Sequence, residues 1–129
     1  MIDHLTLRVR DYEKSKAFYS AALAPLGYEV LMEFDVPGVG KFCGLGVKPK
    51  PDFWLATHEA AHPAPTGQHI AFVAKTRAEI EAFHKAAIAA GAKDDGKPGP
   101  RTEYHPGYFG AFVVDPNGIH LEACLHHGG

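Results

Sequence analysis

The sequence repeats itself once. Shifted by 65 residues, the segment from His4 to Ala24 falls on that from His69 to Ala89, and six of the 21 positions are identical. Four of the matches are alanines, so the weight rests on His4/His69 and Phe18/Phe83. A repeat of this kind is one supersecondary unit whose apolar face is covered by a neighbouring copy. With 129 residues in all, the chain has room for one domain and no second independent core.

Each copy opens with a strand pattern of apolar residues alternating with polar or small ones, from Asp3 to Arg10 and from Gln68 to Lys75. Each then turns into a helix. Asp11 is placed to cap the first, where Ser15, Phe18, Ala22 and Leu26 share a face and Gly27 ends the run. Thr76 and Glu79 have capping-box spacing in the second, Ile80, Phe83, Ala87 and Ala90 line one side, and Gly91 is the stop. Three further strands are expected in the first copy, at 28–34, 41–46 and 52–57. In the second, a weak strand near 92–94 is expected to precede a long loop over 96–107, and firm strands at 108–115 and 119–125 flank Asp115-Pro116-Asn117-Gly118. Proline presets φ and Asn-Gly accepts positive φ, so this tetrapeptide predicts a hairpin. The fold class that follows is α+β: two tandem βαβββ motifs, 1–58 and 68–125, joined by a linker over 59–67.

Hydrophobic residues at 46% and charged residues at 22% are those of an ordinary globular chain. A net charge of -2 without a basic cluster gives no footprint for a nucleic-acid backbone or an anionic membrane. No stretch approaches about 18 uninterrupted apolar residues, and the opening residues lack the basic and apolar regions of a secretion signal. The expected location is cytoplasmic, with Cys43 and Cys124 reduced and acting as small buried hydrophobes.

Two histidines at equivalent places in two copies gain meaning together, because equivalent positions approach one another near a pseudo-twofold axis. A divalent ion suits such a pair, and Zn, Fe, Mn and Ni all accept imidazole nitrogen. Glu122 is the matching carboxylate, since it interrupts an otherwise apolar terminal strand and a buried carboxylate needs a partner. His4, His69 and Glu122 are therefore the expected metal ligands. The loop Arg101-Thr102-Glu103-Tyr104-His105-Pro106-Gly107-Tyr108 is rich in groups that handle protons and bind oxygen. His105 is expected as a proton shuttle and Tyr104 as its catalytic companion, with Arg101, Tyr108 and Trp54 binding substrate. His58, His62, His84 and His120 read as surface residues, His120 turning away from Glu122, and His126 and His127 read as a frayed tail.

Taken together, Asp3-His4-Leu5-Thr6-Leu7, Gln68-His69-Ile70-Ala71-Phe72 and the ending Val113-Val114-Asp115-Pro116-Asn117-Gly118-Ile119-His120-Leu121-Glu122 resemble the vicinal oxygen chelate superfamily of glyoxalase, bleomycin-resistance and extradiol dioxygenase relatives. The resemblance covers nearly the whole chain. It implies curved mixed sheets that form a metal-binding cup, a homodimer, and a small-molecule substrate whose neighbouring oxygens bind a divalent metal. By position it makes His4, His69 and Glu122 the ligands, while a fourth ligand position of glyoxalases falls near Trp54, where neither Glu nor His stands. The implied function is metal-dependent lyase or isomerase chemistry. The alternatives are ring-opening dioxygenation or thiol transfer on a His-His-Glu triad, and drug binding without catalysis. Whether His4 and His69 meet within one chain or across two is open at this level.

Overall fold

The computed structural model describes residues 1–60 and 62–128; Ala61, in the expected linker, and Gly129 lie outside the described residues. Strand β1 (Leu5–Val9) leads into helix α1 (Tyr12–Leu23), followed by strands β2 (Glu29–Val36), β3 (Gly40–Gly46) and β4 (Phe53–Thr57). The second half repeats the order with β5 (His69–Val73), α2 (Arg77–Ala89), β6 (Lys93–Pro100), β7 (Phe109–Val114) and β8 (His120–Leu125).

Both helices start where a side chain satisfies an orphan amide. The Lys14 amide donates to Asp11 Oδ1 at 3.1 Å, and the Glu79 amide donates to Thr76 Oγ1 at 3.1 Å. The Glu79 carboxylate reaches one residue further back than a capping box predicts and accepts from the Lys75 amide at 2.7 Å. Pro25 sits in a single 3-10 turn, Ala24–Leu26, which tightens the end of α1 before Gly27 turns with φ 86°. The inward faces are those of the repeat: Phe18 and Phe83 are both buried, as are Ala22 and Ala87.

Each half forms a four-stranded mixed sheet with the same strand order, β1-β4-β3-β2 and β5-β8-β7-β6, in which the first pair is parallel and the others antiparallel. Neither sheet closes on itself. One face of each carries the core, with Leu7, Val9, Cys43, Leu45, Phe53 and Leu55 in the first sheet and Phe72, Ala111, Val113, Leu121 and Ala123 in the second. The alternate residues form an open face. Phe72 of the second half meets Phe53 and Tyr28 of the first through ring contacts of 5.3 and 5.6 Å, and Tyr19 backs Phe53 at 5.0 Å.

The stretch expected to be mostly loop after Asp94 is strand β6 as far as Pro100. Its Gly96, Pro98, Gly99 and Pro100 are poor strand formers in the middle of a sheet. At an edge, only one side of the backbone has to pair. Register shifts at Asp94/Gly96 and Gly96/Gly99 absorb the irregularity. Among the described residues no helix is long and apolar enough to cross a membrane.

The β7-β8 hairpin does more than turn the chain. Asp115 accepts from the backbone amides of Asn117 (2.7 Å) and Ile119 (2.8 Å) and from the Tyr19 hydroxyl of α1. Asn117 donates to Ser15 Oγ at 3.1 Å, and Arg10 Nη1 donates to the Asn117 carbonyl at 3.2 Å. Only Gly118 takes positive φ, at 83°, so Asn117 serves through its side chain and not through its backbone. Burial, then the Asp115 charge, holds the Tyr19 phenol well above its ordinary pKa, which keeps it a donor. Tyr19→Phe is therefore expected to lower unfolding free energy by about 1–3 kcal/mol, because a buried carboxylate loses a partner. Urea denaturation checks this, and an unchanged midpoint contradicts it.

Candidate functional site

Parallel pairing in the second sheet sets His69 beside His120 and Ala71 beside Glu122, and β7 sets Phe112 across from Glu122. Alternation then gathers His69, Ala71, Val73, Gly110, Phe112, Glu122 and Cys124 on one open face. His69 is half exposed, whereas the Glu122 side chain is only 6% exposed. Such a carboxylate must be paired, and both of its oxygens are. Oε1 faces His69 Nε2 at 2.9 Å, and Oε2 accepts from the Tyr108 hydroxyl.

A glycine makes this meeting possible. A Cβ on Gly110 would lie 3.3 Å from Glu122 Oε2 and 3.3 Å from the Tyr108 ring. Burial, then the bond to Glu122, pushes the Tyr108 phenol above its ordinary pKa, so it remains a proton donor to the carboxylate. Burial also raises the Cys124 thiol, against a hydrogen bond from Tyr108 that works the other way. A raised thiol is poorly suited to be a nucleophile, and Cys124 stays a small buried residue of the site wall.

The loop packs around Tyr108. Tyr104, His105 and His126 stand edge-to-face against its ring at 5.0, 5.4 and 5.0 Å. His105, expected as a proton shuttle, has both ring nitrogens engaged, Nδ1 with the Pro106 carbonyl at 2.8 Å and Nε2 with His126 Nδ1 at 3.0 Å. Tyr104 is exposed. Arg101 folds back on its own strand, donating to the Lys97 carbonyl at 2.6 Å, with its guanidinium 5.3 Å from the Phe112 ring, which in turn lies 6.2 Å from the His69 ring.

The other two expected residues belong to the first half. Its β1-β4 register pairs Thr6 with Trp54, as β5-β8 pairs Ala71 with Glu122. Thr6 and Ala71 are 65 residues apart, so Trp54 occupies the repeat's counterpart of Glu122. It lies across Gly44, where a Cβ would come within 2.8 Å of the indole, and stacks parallel to Phe34 at 6.0 Å. His4 stands just before β1, exposed, its Nδ1 2.6 Å from Asp3, which also pairs with Lys50 at 2.9 Å. Within one chain His4 does not join His69 and Glu122: among the described residues no three His, Cys, Asp or Glu side chains converge.

Imidazole nitrogen and carboxylate oxygen turned toward one another, 2.9 Å apart, are a donor pair that fits a divalent cation. Two ligands leave that set short of a stable first shell.

Sequence reasoning missed three features here. His126, read as frayed tail, stacks against His105 at 5.2 Å. Residues two apart on a strand share a face, so His120 lies on the same side as Glu122; it bonds Asp95 at 3.1 Å. The glycine at 110, inside a strand, was the available signal for a close side-chain approach.

The chain belongs to the Glyoxalase/Bleomycin resistance protein/Dioxygenase superfamily, whose model matches residues 1–123. A glyoxalase/bleomycin resistance protein from Albidiferax ferrireducens T118 is similar in structure, with 28% identity, 95% of each chain covered and a TM-score of 0.76. A family enzyme from Burkholderia phytofirmans PsJN shares the fold at 21% identity, with 95% of this chain and 96% of that one covered and a TM-score of 0.68. Glyoxalase I from Zea mays also shares the fold, at 20% identity and a TM-score of 0.69; 99% of this chain covers 45% of the maize chain. Among curated proteins none matches in sequence.

Gly110→Val is expected to push Tyr108 and Glu122 apart and cost about 1–3 kcal/mol, as overpacking does. Thermal unfolding measures it, and an unaltered melting temperature would show that the contact is slack.

Proposed function

We propose that this chain is a divalent-metal-dependent enzyme acting on a small oxygenated molecule. It works as a homodimer in which His69 and Glu122 of one copy and His4 of a second copy hold the ion. The observation that carries this reading is the buried Glu122 carboxylate turned toward His69 on an open sheet face, with His4 at the repeat's matching place on the other sheet. Exposed Met32, Phe34, Val36 and Val39 near one sheet edge and Val73 on the other open face support a second copy covering these surfaces.

When bound, the ion supplies Lewis-acid polarisation of a substrate oxygen. The protein's own groups do the rest. Tyr108 holds the carboxylate in place and keeps its own proton. Phe112, Val73 and Trp54 provide apolar walls that exclude water, and the exposed Tyr104 hydroxyl is available to a substrate oxygen. Arg101 shapes the rim through Phe112. The reaction class is lyase or isomerase chemistry, as in the glyoxalase relatives; Trp54 in place of a fourth ligand favours the alternative, dioxygenation or thiol transfer on the same triad. The parallel Trp54-Phe34 stack favours one second reading, a cleft that binds a planar molecule without reaction.

Metal analysis of protein prepared without chelator or polyhistidine tag separates the two. About one divalent ion per chain is expected, with loss in His69→Ala, Glu122→Ala and His4→Ala, since the ion is held through those ligands. Less than about 0.1 ion per chain in the wild type, or no loss in these variants, would sink the metal reading.

A further inference from the structure

We infer that the C-terminal segment positions Glu122 through a collar of side chains around Tyr108, with His126 and Tyr104 as positioning residues. This rests on the metal reading above. The Tyr108 hydroxyl occupies Glu122 Oε2 and so leaves Oε1 directed at His69. A phenol on one strand end can swing about its side-chain bonds, and what prevents it here is packing. Tyr104, His105 and His126 meet its ring at 82°, 82° and 80°, three edge-to-face contacts of the favourable kind.

The collar is itself fastened. His105 Nδ1 donates to the Pro106 carbonyl at 2.8 Å, which leaves Nε2 to accept from His126 Nδ1 at 3.0 Å. His126 is held because the backbone after it is latched to the turn before Tyr108. The Gly128 amide donates to the Gly107 carbonyl at 2.8 Å, and Arg77 Nε donates to the Gly128 carbonyl while its guanidinium lies 4.6 Å from the Phe109 ring. Gly107 takes φ 90°, and the His126 carbonyl lies 3.0 Å from where a Cβ would stand, so tail and turn are in direct contact. A continuous path of contacts thus runs from the tail through His126, His105 and Tyr108 to Glu122. A carboxylate held in one orientation binds a cation without first reorganising.

The test is titration of the full-length, metal-free protein with Co2+ alone, followed by visible absorption, with melting temperature measured for every variant. Glu122→Ala should abolish the signal. Tyr108→Phe, Tyr104→Ala and His126→Ala should each weaken Co2+ binding by about tenfold or more and alter the spectrum, as outer-shell substitutions do. His127→Ala, which removes the neighbouring imidazole, should stay within about twofold of wild type. Hydrogen exchange across 104–108 should quicken in His126→Ala while the global melting temperature holds. Wild-type affinity in Tyr104→Ala and His126→Ala beside a weakened Tyr108→Phe overturns the collar. Weakening in His126→Ala alone also overturns it, because the histidine is then a ligand in its own right. Wild-type affinity in Glu122→Ala overturns the metal reading, and this inference with it.

Discussion

Asp115 lies buried where the two halves meet, and its carboxylate accepts from the Tyr19 hydroxyl, two backbone amides and, at 3.3 Å, the Asn117 side chain. A carboxylate so placed is tolerable only because each oxygen is occupied. Those bonds fix the turn between β7 and β8 and tie that turn to α1 of the other half. The register of β8 follows from the turn. A slip of one residue would turn Glu122 into the core and Leu121 or Ala123 onto the open face. The position of the candidate ligand is thus set seven residues upstream, by an interaction between the halves.

The two sheets share one plan and differ in what they display. The second carries the buried carboxylate, its imidazole neighbour and the tyrosine that braces it. The first carries an indole at the carboxylate's counterpart, laid over a glycine and stacked on Phe34. On the reading proposed above, the second half would hold a cation and the first would offer an aromatic wall and the exposed His4. On the same reading, that division leaves the candidate ligands apart within one chain and gives a second copy the task of completing the site.

Much of the architecture was legible in the sequence because its signals are local and doubled. The repeat placed both helices, the caps at Asp11 and Thr76 named their starts, and the Asp-Pro-Asn-Gly turn named the last hairpin. Strand β6 was not legible, since its glycines and prolines speak against a strand unless its edge position is known. His69 and Glu122 stood out in the sequence, one as half of the repeated histidine and the other as a carboxylate interrupting an apolar strand, and they lie 2.9 Å apart. The place of His126 was not: its contacts are with a loop about twenty residues away, brought close by tertiary packing. The distance between His4 and His69 was equally hidden, because a repeat defines equivalence and not proximity.

The central claim is that each chain carries only part of a metal site and that a second copy completes it. Mixing His4→Ala protein with His69→Ala protein, with subunit exchange allowed, tests this directly by metal stoichiometry. In a mixed dimer one site would carry both substitutions and the other neither, so metal binding absent from each variant alone should return at about one ion per mixed dimer. No recovery of metal in demonstrably mixed dimers would contradict the account.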